Sequence, residues 1–417
     1  MNILIIGSGG REHAIAHKLY NSLKKPNIFV TQGNPGMPYT TTVDISNENI
    51  SGLVNFSLKE QIDLTIVGPE LPLSMGIVNE FRKHNLKIFG PTKEAAMIES
   101  SKKFGKQLMK KYNIPTADYL VCSSIEEAKE GLKKFSFPVV LKYDGLAAGK
   151  GVFIAKDKEE ANEFINNVFI NKLFGKKDLI IEEFLEGPEF SLMAFVNEDK
   201  VYPMEISQDH KRAYDGDLGP NTGGMGAYSP VPLITKTDID YAINNIMVKT
   251  ANALVSEGRS FLGVLYGGLM KTKTGIKVIE FNARFGDPET EVVLPRMEND
   301  LLDVITKVMN KEDVELKWSK DVVLGVVMAA NGYPLEYNRG LKICNIPETT
   351  YHMGTKLVKD DLVTNGGRVL IVLGRGKTFN DAKQQAYQNI AKVKAEGLFF
   401  RKDIGYQMIE YENKKRR

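Results

Sequence analysis

Residues 139–155 read Val139-Val140-Leu141-Lys142-Tyr143-Asp144-Gly145-Leu146-Ala147-Ala148-Gly149-Lys150-Gly151-Val152-Phe153-Ile154-Ala155. Two short apolar runs flank a loop with glycine at 145, 149 and 151, so the segment reads as strand, pliable loop, strand. A lysine that ends a strand can reach nucleotide phosphates as a point charge, while a Gly-rich loop folds its amides over them. The segment is not a P-loop: GxxxxGK[ST] requires Ser or Thr after Lys150, where Gly151 stands, and a second strand follows instead of a helix. A plain β-hairpin with an exposed lysine is the alternative.

Outward from this hairpin, Tyr119–Val121 and Leu179–Phe184 read as strands, and Ile125–Phe135 and Asp157–Asn171 as helices. Together they make a small α+β unit of lid-like character. Upstream, Ser101–Tyr112 reads as a helix ended by Asn113-Ile114-Pro115. Before it, Ile3–Ile6, Ile28–Val30, Leu64–Val67 and Ile88–Phe89 are short and apolar, as buried parallel strands are. Arg11–Leu23 places apolar residues on one helical side, and the strand–helix alternation predicts an open parallel α/β sheet with ligands at the strands' carboxyl ends. Downstream, residues 189–320 carry long polar loops, a helix around Asp238–Glu257 and strands Gly263–Met270 and Lys277–Phe281. The last hundred residues hold the run Val322–Ala330, a strand Val369–Leu373 and a helix Phe379–Ala395, enough for an α+β module.

At 417 residues the chain exceeds one ordinary core, and several packed units are expected. Its 42% hydrophobic and 26% charged residues are those of a soluble globular protein. A net charge of +3 from 55 basic and 52 acidic side chains leaves no footprint for nucleic acid. The terminal Lys414-Lys415-Arg416-Arg417 reads as a solvated end before it reads as an interaction tail. Cys122 and Cys344 form no CxxC, which suggests neither a disulfide framework nor a zinc site. The chain opens directly on a strand without a basic n-region, and no apolar run approaches a membrane span. A cytoplasmic protein without a membrane partner is expected.

Gly7-Ser8-Gly9-Gly10-Arg11-Glu12 joins the first strand to the first helix, where glycines aim helix amides at an anion. Dinucleotide binding would place its third glycine at Glu12 and an acid at the end of the second strand, where Thr31-Gln32-Gly33 stands. A substrate phosphate or polar group and a plain tight turn remain. Gly68-Pro69-Glu70-Leu71-Pro72-Leu73 follows another strand end, and Glu70 is either a ligand contact or a favourable charge at a helix start. Acids stand at and just past a buried strand in Glu182-Glu183-Phe184-Leu185-Glu186-Gly187-Pro188-Glu189; Glu182 or Glu189 reads as a nucleoside contact, and a solvated rim is the alternative. Glu280 and Asn282 flank Phe281 on a strand, so both face one way; an acid plus an amide oxygen holds Mg²⁺ that also touches phosphates, although a polar edge strand looks the same. Arg284 follows two residues later, then Phe285-Gly286-Asp287-Pro288-Glu289. Gln208-Asp209-His210-Lys211-Arg212 and Gly219-Pro220-Asn221-Thr222-Gly223-Gly224-Met225-Gly226-Ala227-Tyr228 form long loops of functional type. His13 and His17 read as ordinary helix residues.

Taken together, GSGGREHA from Gly7, GPELPL from Gly68, KYDGLAAGKGV from Lys142, QDHKR from Gln208, GPNTGGMGAYSP from Gly219 and EFNARFGDPE from Glu280 resemble the glycinamide ribonucleotide synthetase family of the ATP-grasp superfamily. The resemblance implies an amino-terminal α/β domain (1–100), a central ATP-grasp domain (101–120 and 189–325), an inserted lid (121–188) and a carboxyl-terminal α+β domain (326–417). It implies ATP-dependent ligation of glycine to 5-phosphoribosylamine through glycyl phosphate, by a monomer using Mg²⁺ or Mn²⁺. Nucleotide contacts implied are Lys102, Lys142, Gly149, Lys150, Gly151, Glu182 and Glu189, with Glu280 and Asn282 as metal ligands. Arg284, Lys142 and Asp209 are implied to be catalytic. Gly9, Gly10, Glu12, Glu70, His210, Lys211, Asn221, Gly223 and Asp287 are implied to touch substrate. One departure stands out: Glu291 occupies a position where glutamine is expected after GDPET. Rival readings are an ATP-grasp carboxylase or transformylase, a non-catalytic nucleotide sensor and a dehydrogenase.

Overall fold

The computed structural model describes residues 1–145, 151–173, 175 and 177–416. Its amino-terminal sheet is wholly parallel: β1 (Asn2–Ile6), β2 (Asn27–Thr31), β3 (Thr41–Val43), β4 (Leu64–Val67) and β5 (Ile88–Phe89), in the order β3-β2-β1-β4-β5. The first strand is central, and Ile3, Leu4, Ile5 and Ile6 are fully buried, which is why it reads as an unbroken apolar run. Helix α1 (Gly10–Tyr20) follows β1 at once. Glu12 fastens that turn: its Oε2 accepts from the Gly9 amide at 2.7 Å, and a Cβ at Gly68 would lie 1.9 Å from its Oε1. Glycine at 68 thus lets the loop after β4 close on the loop after β1.

Four antiparallel strands, β6 (Tyr119–Cys122), β7 (Val139–Tyr143), β8 (Val152–Ala155) and β9 (Leu179–Glu183), pair in the order β6-β9-β7-β8. They enclose a core of their own, with Leu141, Ile165, Leu179 and Ile181 fully buried. One continuous core runs through the rest of the molecule.

The central sheet orders β11 (Lys200–Pro203), β10 (Glu189–Asn197), β16 (Leu262–Thr272) and β17 (Gly275–Asn282). The sequence reading places no strand between residues 189 and 262, and the structure differs. Strand β10 is buried along eight of its nine residues, so apolar and polar positions do not alternate and the period-two signal is lost. The polar loops contain β12 (Gln208–Asp209), β13 (Arg212–Tyr214), β14 (Leu218–Asn221) and β15 (Gly226–Ser229), each too short to show a period. Strands β12 and β15 join the last sheet through β18 (Val322–Ala330), which pairs with Arg368–Gly376, itself paired with Thr350–His352. The expected Asp238–Glu257 helix spans Lys236–Ser256 with a π-helical turn at Ile243–Met247. Among the described residues no helix is long and apolar enough to cross a membrane.

Candidate active site

A cleft of about 1820 Å³ lies where the amino-terminal sheet, the β6–β9 unit, the central sheet and the carboxyl-terminal sheet converge. Its wall toward the β6–β9 unit is a buried cluster of cations around one acid. Lys142, near the end of β7, places Nζ 2.9 Å from Glu182 Oε2 and donates to the Ile279 carbonyl at 3.0 Å. Lys106, on the helix Lys102–Lys111, reaches the same oxygen at 2.9 Å and donates to Thr116 Oγ1 at 2.7 Å. The second oxygen of Glu182 is buried and has no hydrogen-bond partner among the described residues. Burial pulls the Lys106 ammonium down to about 8 against the attraction of Glu182.

The Ser101 hydroxyl caps that same helix by accepting from the Phe104 amide at 3.1 Å, and it donates to Asp144 Oδ1 at 3.1 Å. Lys102 then follows, and its Nζ donates to the Gly145 carbonyl at 2.8 Å. The helix therefore carries two lysines four residues apart on one face, Lys102 against Gly145 and Lys106 against Glu182. Gly151 lines the cleft and its carbonyl accepts from the Tyr143 amide at 2.8 Å. Gly149 and Lys150 lie outside the described residues. Glu189 opens β10 on the opposite wall, where burial pushes its carboxyl up while Lys211 pulls it down.

Glu280 and Asn282 sit at the end of β17 and both line the cleft, while Phe281 between them is buried in the core. Glu280 faces Gly268 across the sheet, where a Cβ would touch the Glu280 Cγ at 3.4 Å. Burial opposes ionisation of Glu280, but Lys211, Lys142, Lys102 and Arg284 outweigh it and hold its pKa below the ordinary value. Among the described residues no side chain bonds to either the carboxylate or the amide. An ionised acid and an amide oxygen left unbonded on one face suit a hard divalent cation. No group of three or more His, Cys, Asp or Glu is arranged to hold a metal among the described residues. A cation held here would complete its shell from phosphate oxygens and water, the usual habit of Mg²⁺.

Toward the amino-terminal sheet, Arg284 lies between Glu99, at 3.1 Å, and Glu70, at 3.4 Å. The two carboxylates outweigh burial and raise the guanidinium pKa further, so the charge is permanent. Asp209 pairs with Lys211 at 3.3 Å, but its Oδ1 is buried without a hydrogen-bond partner. Burial lifts the Asp209 carboxyl to about 7 against the pull of Lys211. Asp287 pairs with Arg368 at 2.9 Å, and Arg368 also donates to the Gly223 carbonyl at 2.8 Å. The Gly223 amide donates to the Tyr333 hydroxyl at 2.9 Å, and Asn221 borders the same wall.

Of the other expected contacts, His210 lines the cleft, whereas Gly9, Gly10 and Glu12 do not. Both Glu12 oxygens are engaged inside the protein, Oε1 by Arg11 Nε at 2.6 Å and Oε2 by the Gly9 amide. Arg11, not Glu12, lines the cleft. Gly9 and Gly10 face Asp287 and Glu291: added Cβ atoms would lie 3.9 Å from Asp287 Oδ2 and 2.5 Å from Glu291 Oε1. His210 accepts from the Gly405 amide at 3.0 Å through Nε2, and burial lowers its pKa to about 4, so it is neutral at pH 7. Sequence reasoning missed Lys106, Glu99, Arg11 and Arg368. Lys106 carried a signal, its four-residue offset from Lys102, whereas Arg368 meets Asp287 only through the tertiary fold.

Three family models match the chain: the N domain of phosphoribosylglycinamide synthetase over residues 1–99, its ATP-grasp (A) domain over 100–290 and its C domain over 323–407. The chain is 50% identical over 417 residues to a phosphoribosylamine–glycine ligase of Halalkalibacterium halodurans, covering 98% of this chain and 97% of that one. A crystal structure of phosphoribosylamine–glycine ligase from Thermotoga maritima superposes with a TM-score of 0.85 at 36% identity, covering 97% of this chain and all (100%) of that chain. A biotin carboxylase from Campylobacter jejuni shares the fold alone, with a TM-score of 0.76 at 16% identity over 98% of this chain and 95% of that one.

Proposed function

Because the chain belongs to the phosphoribosylglycinamide synthetase family, we propose that its cleft joins glycine to 5-phosphoribosylamine at the expense of ATP, yielding glycinamide ribonucleotide, ADP and phosphate. The observation that carries the site assignment is the unbonded Glu280–Asn282 pair, surrounded by four cations and facing the Lys142–Glu182 cluster.

The chemistry must first make a carboxylate electrophilic. A glycine carboxylate oxygen attacks the γ-phosphorus, the bond to the β–γ bridging oxygen breaks, and ADP leaves with glycyl phosphate behind. Charge gathers on the γ-oxygens, and Lys142, Lys102 and Arg284 border the place where it develops. Mg²⁺, or Mn²⁺ in its stead, held by Glu280 and Asn282 would supply Lewis-acid neutralisation of that charge. The two roles of Glu182 are consistent with a nucleotide site: one oxygen holds Lys142 and Lys106, and the other is left for a donor such as the adenine amino group. Arg284, fixed by Glu70 and Glu99, holds the glycine carboxylate in line.

In the second step the neutral amine of phosphoribosylamine attacks the acyl carbon, the acyl–phosphate bond breaks, and the nitrogen sheds one proton. Asp209, with a free oxygen and a pKa near neutrality, accepts that proton. Asp287, Asn221 and Gly223, which line the cleft with Asp209, orient the sugar. Water would hydrolyse the acyl phosphate, so the reacting groups need a cover, a role that the glycines at 145, 149 and 151 suit by their sequence. The enzyme works in this reading as a cytoplasmic monomer without nucleic-acid or membrane partners.

Phosphate release from Mg-ATP, measured with glycine and freshly generated phosphoribosylamine and with each omitted, tests the proposal. Release that needs both, with an amide product by mass, is expected. Release independent of glycine would overturn it in favour of a carboxylase-like reaction.

A further inference from the structure

Glu291 sits on the short helix Glu289–Val293, and Asp287 lies just before that helix, outside its first turn. Both carboxyls lie against the first turn of α1, as the Gly9 and Gly10 clearances of 3.9 and 2.5 Å show. Glu291 is 0% exposed, and neither of its oxygens has a hydrogen-bond partner among the described residues. The charged groups that face it are already engaged. Arg368 is paired with Asp287 at 2.9 Å and bonded to the Gly223 and Asp287 carbonyls. Arg11, from α1, is held by Glu12 at 2.6 Å and by the Phe285 carbonyl at 3.1 Å. From the Thr350–His352 strand comes Tyr351, and the packed strands β15 and β18 bring only Tyr228, whose hydroxyl donates to Gln208.

With Arg11 held by Glu12 and Arg368 paired to Asp287, the buried Glu291 has no counter-ion of its own beside the Asp287 carboxylate, which disfavours ionising both acids together. Asp287 borders the cleft and has the arginine, so the proton belongs to its neighbour. We propose that Glu291 stays protonated through the neutral range and, as a neutral hydrogen-bonding group in the place of an amide, positions Asp287 against Arg368 at the cleft wall. Burial, and after it the Asp287 carboxylate, raises the Glu291 pKa well above the ordinary value, in agreement with the geometry. The same logic accounts for an acid where the family resemblance implies glutamine: the protonated acid and the amide have nearly the same shape.

The positioning role rests on the substrate contact proposed for Asp287, whereas the proton does not, so the two are tested apart. For the proton, unfolding of the intact chain and of Glu291→Gln is compared by urea titration from pH 5.5 to 8.5. At this site the native state binds one proton more than the unfolded chain, so the Glu291 contribution to stability falls as pH rises, a term that the E291Q comparison separates from the other titrating groups. The ratio of unfolding constants, wild type over E291Q, should grow about tenfold per pH unit. A ratio that does not change with pH, or an E291Q chain that fails to fold, would overturn the proposal. For positioning, Glu291→Gln should keep wild-type kcat/KM for phosphoribosylamine at pH 7, while Glu291→Leu should lose about tenfold. Equal values for Gln and Leu would refute a positioning role and leave the unfolding result standing.

Discussion

Lys142 Nζ and Glu182 Oε2 form a buried ion pair at 2.9 Å, and Lys106 shares the same oxygen at the same distance. The arrangement is asymmetric, because removing Lys142 leaves Glu182 with one cation, while removing Glu182 leaves two buried ammonium groups without a paired carboxylate, held only by the Ile279 carbonyl and Thr116 Oγ1. Glu182→Ala should therefore cost about 3–5 kcal/mol of stability, and Lys142→Met much less. Denaturant midpoints for both variants check this. Lys142→Met should instead raise the KM for ATP at least tenfold, since its charge borders the developing phosphate charge. Comparable destabilisation by the two substitutions would contradict the shared-oxygen account.

Glu280 has the opposite character, being ionised, unbonded and faced by cations. Glu280→Ala should leave the fold intact and reduce metal-dependent phosphate release by about 10²–10³-fold, the range for losing one group that stabilises transition-state charge. Undiminished Mg²⁺-supported turnover would sink the metal assignment. A parallel titration with Mn²⁺ decides which ion the pair prefers.

These two sites also show what the sequence could tell. The β7–β8 hairpin, β1 and β4 were legible because a short β-branched run bounded by glycine or charge is too short for a buried helix and suits a buried strand. Glu280 and Asn282 were legible because their spacing matches the strand period. Lys106 is different: the i,i+4 offset from Lys102 was visible, but the Glu182 partner that gives it meaning comes from β9. Arg368 could not be found at all, since nothing local ties a strand residue near the carboxyl terminus to Asp287. Glu12 lies beside a glycine turn suited to anions, and in the fold its Oε2 accepts from the Gly9 amide while its Oε1 accepts from Arg11 Nε.

Asp209 should give the reaction its pH dependence. With its carboxyl lifted to about 7, the proton-accepting form is gained as pH rises through neutrality. Below pH 7, kcat/KM for phosphoribosylamine should climb about tenfold per pH unit and then level. Asp209→Asn should lower kcat by about 10²–10⁴-fold and flatten that limb. An unaltered limb in D209N would assign the ionisation elsewhere.

The glycine-rich sequence of residues 144–151 makes a prediction that needs no mutation. Lys102 holds the Gly145 carbonyl at 2.8 Å, and Tyr143 holds the Gly151 carbonyl at 2.8 Å, so both ends of the segment are tied to the cleft wall. Nucleotide bound against Lys102 and Lys142 should slow amide exchange across 144–151 and reduce cleavage there by a protease. Equal exchange and cleavage with and without ATP would contradict a covering role.

Histidines join the two ends of the chain. The His352 amide donates to His13 Nδ1 at 2.9 Å, which fastens the Thr350–His352 strand to α1, and both rings are buried. Burial, with His352 and His17 adding repulsion, lowers His13 to about 3; burial lowers His352 to about 4. A histidine whose folded pKa lies below its unfolded value binds more protons unfolded, so its contribution is complete above about 6.5 and is lost as pH falls toward the folded value. Stability should therefore drop between pH 6.5 and 4, by up to tenfold in the unfolding constant per pH unit for each ring. His13→Gln keeps a hydrogen-bonding side chain without a titrating group, and it should make that slope shallower by one proton even if it costs stability at pH 7. Urea titrations at several pH values measure the slope directly; an identical slope in H13Q would mean that the acid sensitivity resides in other groups.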